Sequence, residues 1–262
     1  MLFMGYLLLG AFAGMLAGLF GIGGGLIIVP VLVLSFHAQG VAPDIVTHLA
    51  LGTSLPTMIF TGFSSLRAHQ EAGAVDWVMI RRLAVGMLLG AWLGGMTANL
   101  LSASTLNIII GCFAWTMALQ MGLNLKPKAE RQMPGPVGTG IAGSIIGWMS
   151  ALFGIGGGSL TVPYLSWNSV PMRNAVAASA ACSMPIAFAG SLSYLYAGWG
   201  HANLPEWSLG YIYLPALVGI VLTSTQFARV GARLAHRLSP QHLKQAFALL
   251  MLLVGAKFML FS

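Results

Sequence analysis

The chain has 262 residues, of which 57% are hydrophobic and only 6% charged, with 34 glycines and a formal net charge of +7. A soluble domain carries about 25% charged residues, so 12 Lys+Arg and 5 Asp+Glu are too few to cover a surface in water. A soluble enzyme, a disordered chain and a nucleic-acid binder are excluded, two cysteines make no disulfide framework, and the class expected is an all-α polytopic membrane protein.

A spanning helix needs roughly 20 apolar residues. In chain order the apolar runs are 2–20, then, after FGIGGG, a short run at 25–36, then 45–66, 82–101 and 105–123. NLKPKAERQMPGP (124–136) interrupts the pattern with three cations and, near its end, two prolines flanking a glycine, and reads as a central linker. After it come 137–153, a second FGIGGG, a short run at 159–167, and longer runs at 174–197, 208–230 and 243–261. The expected organisation is a first transmembrane repeat over 1–123, a linker, and a second repeat over 137–262, with five segments in each. The first run lacks the basic start and the cleavage signature of a signal peptide, so it is read as the first helix.

Alternate crossings put Arg67, Arg81 and Arg82, then Lys126, Lys128 and Arg131, then Arg173, then Arg229, Arg233, Arg237 and Lys244 on one face, and Lys257 alone on the other. The excess of cations on cytoplasmic loops then predicts both termini outside and the linker in the cytoplasm, in the cell's inner membrane. Treating the glycine-bearing pairs as re-entrant hairpins leaves the same parity.

LAGLFGIGGGLIIVP (16–30) recurs as MSALFGIGGGSLTVP (149–163), an offset of 133 residues, and TSLP (53–56) is echoed by CSMP (182–185). A weaker pair is Leu101, Ser102 and Leu106 against Leu238, Ser239 and Leu243. An odd number of segments in each half makes the two copies face opposite ways. Loop 67–82 is basic while its counterpart 198–207 has no Lys or Arg. Inverted repeats with paired interrupted helices are the pattern of secondary transporters.

Gly23, Gly24 and Gly25, and in the second half Gly156, Gly157 and Gly158, disfavour helix by about 1 kcal/mol each relative to alanine. The run that follows each triplet is short and bends or ends near Pro30 or Pro163. Backbone N–H groups left free at the start of a short helix favour an anion. Glycine also serves close helix packing, and both readings stand at this stage, the duplication beside a short segment favouring the first. Pro56 and Pro185 fall near the centres of long segments, where each frees a carbonyl and kinks the helix. Around them lie Thr53, Ser54 and Thr57, and Ser179, Cys182 and Ser183. These side chains either coordinate a polar solute or cap the freed backbone; a packing role is the commoner one for Cys182.

No Asp, Glu, Lys or Arg occupies the middle of a segment, so no carboxylate relay for a coupling ion is visible. His48 and His69 read as interfacial residues, Arg67 and Arg229 as snorkelling helix ends, and most tryptophans as an aromatic belt. Trp115 lies mid-segment and is expected to pack.

The duplicated FGIGGG motif with its Val-Pro, the basic linker and the closing LSPQHLKQAFALLMLLVGAKFM (238–259) together resemble the TauE/SafE family of sulfite exporters and related permeases. The resemblance covers essentially the whole chain. It carries the family motif onto Gly21 to Gly25 with Pro30, and onto Gly154 to Gly158 with Pro163. It implies a transporter of small sulfur-containing or carboxylate anions, with a small-molecule anion and the lipid bilayer as partners. No cofactor, metal or nucleic acid is implied, and either a monomer or a homodimer is allowed. The halves differ in one respect: Leu26-Ile27-Ile28 stands where the second copy has Ser159-Leu160-Thr161. An anion channel of the same build is the main alternative. An intramembrane peptidase using Ser54 or Ser183 has no histidine at matching depth, and a purely structural subunit gives no reason for the paired breaks.

Overall fold

In the computed structural model, residues 2–20, 25–71, 73–123, 132–235 and 240–260 are described. They form ten α-helices and one short β-hairpin. The first half holds α1 (Leu2–Phe20), α2 (Gly25–Ala38), α3 (Val46–Glu71), α4 (Trp77–Asn99) and α5 (Ala103–Gly122). The second holds α6 (Pro136–Phe153), α7 (Gly158–Trp167), α8 (Met172–Ala197), β1 (Ser208–Leu209), β2 (Ile212–Tyr213), α9 (Leu214–Ala235) and α10 (Pro240–Leu260). Gly21 to Gly24, linker residues 124–131 with Lys126, Lys128 and Arg131, and 236–239 with Arg237 lie outside the described residues. Among the described residues five helices, α3, α4, α5, α6 and α8, are long and apolar enough to cross a membrane.

Local chemistry fixes the boundaries. Asp76 caps α4, its Oδ1 accepting from the N–H groups of Val78 (3.0 Å) and Met79 (3.2 Å). Pro136 occupies the first turn of α6, where a missing N–H costs nothing. Gly154 stops α6 in the left-handed region at φ 62°, its N–H reaching back to Ser150 and Ala151.

One expected boundary is corrected. The apolar run 208–230 is not a single helix: Ser208 pairs with Tyr213 and Leu209 with Ile212 across a tight turn. Trp207 and Gly210 adopt positive φ there, and the helix begins only at Leu214.

The helix pairing is reciprocal between the halves. Helix α1 packs on α9 as α4 packs on α6, α2 packs on α3 as α7 packs on α8, and α3–α8 and α5–α10 pair across the middle. Small residues set these approaches. A Cβ on Gly86, Gly90 or Gly94 of α4 would run into the carbonyls of Gly140, Ser144 and Trp148 of α6. A Cβ on Gly10 or Gly14 of α1 would run into the backbone of Ile220 and Ser224.

Helices α3 and α8 are the most buried of the long helices, and the outer ones turn aliphatic side chains outward, among them Leu8, Val85, Leu89, Ile141, Ile145 and Leu253. Many hydroxyls are inside, among them those of Thr53, Ser54, Thr57, Ser150 and Thr161. Trp115 packs as expected, leaning on Gly255 and donating its indole N–H to the Leu252 carbonyl at 3.3 Å.

Candidate functional site

Helix α7 has 10 residues and spans about 15 Å at 1.5 Å per residue, half of a roughly 30 Å bilayer core. The turn before it, Gly154–Gly157, is buried throughout. There the two copies of the glycine motif touch. A Cβ on Gly25, the first residue of α2, would lie 2.5 Å from the Gly154 oxygen and 2.8 Å from the Ile155 Cα, and would also strike the Met58 methyl.

The proline-bearing helices close around this contact. Ser54, fully buried on α3, donates to the Gly154 carbonyl at 3.1 Å and to the Leu51 carbonyl at 2.8 Å. On α8, the Ser183 N–H lies 3.8 Å and the Ile186 side chain 3.1 Å from where a Gly157 Cβ would be. Gly25, Ser54, Gly156, Gly157 and Ser183 are thus brought together at the interior ends of α2 and α7, with Gly158 opening α7. Gly23 and Gly24 lie outside the described residues. Pro30 is buried within α2, Pro163 lies within α7, and Pro56 and Pro185 lie inside α3 and α8, both of which continue through them.

Several of the expected hydroxyls have local partners. Thr57 donates to the Ser54 carbonyl and Ser183 to the Ala180 carbonyl (2.7 Å), both three residues back. Thr53 faces elsewhere and accepts the Tyr213 N–H at 3.0 Å, which ties α3 to the β-hairpin. Ser179 is buried on α8, and Cys182, wholly enclosed, lies in the apolar cluster with Met87, Leu165 and Ile186.

The hydroxyls without partners are ones that inspection of the prolines missed. Among the described residues Ser150, Ser159, Thr161 and Tyr164, around the second glycine turn, each bury a side-chain oxygen that makes no hydrogen bond, as do Ser208 and Ser224 elsewhere. The available signal was the substitution of Ser-Leu-Thr for Leu-Ile-Ile after the motif. Lys257 of α10 also buries an unpartnered ammonium, well removed in sequence from this cluster.

The two ends of the molecule differ. At one, the α3–α4 loop, residues 132–135 and the α7–α8 loop border an open cavity of about 410 Å³, walled by Asp76, Met79, Arg82, Met133, Asn168 and Asn174 among others. The Asp76 carboxylate is occupied as a helix cap, and exposed Arg82 contributes the cation. These are three of the loops that the cation count assigns to one face.

At the other end the chain closes on itself. Tyr6 donates to Gln39 Oε1 at 2.8 Å, a His48 ring N–H to the Ala98 carbonyl at 3.0 Å, and Asn203 Nδ2 to Asp44 at 3.5 Å. Tyr211 lies against the rings of His48 and His201, with centroids 5.3 and 5.9 Å away. Burial, then the negative charge of Asp44, push its phenol above the usual range.

An apolar exterior, tightly packed helices and hydroxyls buried around the second glycine turn define an α-helical membrane protein. The model of the family described as sulfite exporter TauE/SafE matches residues 6–258. A probable membrane transporter protein of Haemophilus influenzae is 38% identical over 250 residues, covering 95% of each chain. The probable membrane transporter protein MJ0441 of Methanocaldococcus jannaschii is 27% identical over 91% of this chain and 88% of its own. YunE of Bacillus subtilis, also a probable membrane transporter protein, is 28% identical over 95% and 94%. No solved structure matches the chain. The chain belongs to the sulfite exporter TauE/SafE family, and it is a membrane transporter, not an enzyme.

Proposed function

We propose that this protein is a secondary transporter of small sulfur-containing or carboxylate anions in the inner membrane, working by alternating access between two inverted five-helix halves. The observation that carries this reading is the meeting of the two glycine motifs at Gly25, Gly154 and Ile155, beside hydroxyls that have no protein partner. A membrane interior tolerates irregular backbone and unpaired hydroxyls only where they are enclosed by protein or meet a polar solute. Reciprocal pairing of α1–α9 with α4–α6, and of α2–α3 with α7–α8, supports two repeats, 1–123 and 137–262, joined by the 124–136 linker. The cavity beside Arg82 and the hydrogen-bonded opposite end support the reading of a state open to the cytoplasm, with both termini outside. Among the described residues no charged side chain is seen against the glycine turn, so hydroxyls and backbone N–H groups hold the anion. One chain contains the whole path, so the monomer suffices.

The test is counterflow in proteoliposomes with sulfite, thiosulfate, methanesulfonate and mercaptoacetate. A carrier accumulates labelled anion against its gradient when preloaded with unlabelled anion. Passive equilibration without accumulation would favour a channel of the same architecture. Exchange of none of these anions would sink the assignment of substrate class.

A further inference from the structure

Two of the three unpartnered hydroxyls of α7, those of Thr161 and Tyr164, share a face of the helix with its C-cap Asn168, while Ser159 lies on the other side. At 3.6 residues per turn, positions 161, 164 and 168 fall within about 60° of one another, on one face of the helix. We propose that Thr161, Tyr164 and Asn168 are a polar track leading an organic anion from the cavity at Arg82 to the turn at Gly157; this rests on the transport reading above.

Each end of the track is anchored by a contact. Thr161 is fully buried, and its Oγ1 lies 3.0 Å from where a Gly157 Cβ would sit, so the hydroxyl fills the gap that the glycine leaves. It makes no hydrogen bond. Tyr164 packs with the cluster that includes Met79, Met133 and Val170, three residues that also wall the cavity, and its buried hydroxyl is unpartnered as well. Asn168 lines the cavity itself. One of its amide hydrogens is committed to the Tyr164 carbonyl at 2.8 Å, which leaves the second to donate.

The first half has no such track. At the same offset of 133 stand Ile28, Val31 and Ser35. The Ser35 hydroxyl accepts from Gln39 Nε2 at 3.0 Å. A short helix after the glycine motif therefore folds without polar groups at the first two of these positions, and burying two hydroxyls unpaired lowers stability. Their retention in α7 is accounted for by a ligand that accepts hydrogen bonds.

The donors and the volume specify that ligand. Two hydroxyls and an amide N–H donate, Arg82 supplies the nearby cation, and Asp76 already receives the N–H groups of Val78 and Met79. The ligand is an anion. A cavity of about 410 Å³ with methionine and valine in its walls is of the size that encloses organic molecules. It fits a sulfonate or carboxylate with a short apolar body better than a bare inorganic oxyanion.

Purified protein is titrated with propanesulfonate, 3-mercaptopropionate and sulfite, following thermal stability. The wild type is compared with Thr161→Val/Tyr164→Phe and with Thr161→Ser. The double variant is expected to be at least as stable as wild type without ligand, because it buries no unpaired hydroxyl. It should bind the organic anions about tenfold to a hundredfold more weakly, while Thr161→Ser keeps most of the affinity. Unchanged affinity in the double variant would overturn the track and leave the transport reading standing, since wild type still responds. Loss of stability without ligand would mark the hydroxyls as structural and overturn it too. Tighter binding of sulfite than of either organic anion would overturn the assignment of an organic ligand. A wild type that responds to none of the three overturns both readings.

Discussion

Replacing Gly25 by alanine tests whether the two glycine motifs lean on each other. The added methyl group would lie 2.5 Å from the Gly154 carbonyl oxygen and 2.8 Å from the Ile155 Cα, and would strike the Met58 side chain. The Met58 methyl can swing away, but the other two atoms are backbone, held by the left-handed turn at Gly154 and by the Ser54 hydroxyl. Accommodation requires α2 to move off the α6–α7 turn. Overpacking of this kind costs about 1–3 kcal/mol, and little helix propensity is regained at the first residue of a helix. The same change at Gly157 meets only the tips of Thr161 (3.0 Å) and Ile186 (3.1 Å), at a φ of −52° that alanine accepts. Its cost should stay below about 1 kcal/mol. With about 2–4 °C lost per kcal/mol in a chain of this size, Gly25→Ala should melt several degrees below wild type in detergent and Gly157→Ala close to it. Counterflow should fall in the same order, and adding Met58→Ala to Gly25→Ala should restore only part of the loss. Equal melting of the two alanine variants, or a Gly25→Ala variant indistinguishable from wild type, would refute the contact.

Two further outcomes follow from the ends of the molecule. Asp76→Ala removes the cap that holds the Val78 and Met79 N–H groups and should cost about 1 kcal/mol, read as a lower melting temperature, with Asp76→Asn recovering most of it. Single cysteines at Pro171 and Asn203, in a Cys112→Ser, Cys182→Ala background, should react with an impermeant maleimide from opposite sides of the membrane: Asn203→Cys in intact cells, Pro171→Cys only in inverted vesicles. Labelling of both from one side would overturn the proposed orientation.

Much of the architecture was legible because apolar length and glycine breaks are written locally. Leu2–Phe20 and Gly25–Ala38 follow directly from an apolar run, a triple glycine and a second run. The start of α9 was not, because Ser208–Tyr213 is as apolar as the helix after it. Only the turn at Gly210 and the proline at 215 mark the change, and both are tolerated near a helix start. For the site, the sequence pointed to hydroxyls beside Pro56 and Pro185, yet Ser54, Thr57 and Ser183 each return their proton to a carbonyl three residues back. Thr161 does not. Whether a hydroxyl is satisfied within its own helix depends on its rotamer and on the neighbouring chain, which residue type alone does not carry.

The difference between the halves bears on how alternating access would work. If two inverted repeats exchanged conformations completely, the outward-open passage would run along the α2 face at Ile28, Val31 and Ser35 instead of along α7. Ile28 is buried and aliphatic, Val31 is aliphatic, and the Ser35 hydroxyl is engaged by Gln39. An anion moved onto that face would lose its donors in a medium where each lost hydrogen bond is costly. On the proposed mechanism the solute would stay on Thr161 and Tyr164 in both states and the first half would supply the moving wall, with Gly25, where α2 meets the Gly154–Ile155 turn without a side chain between them, as the sliding contact.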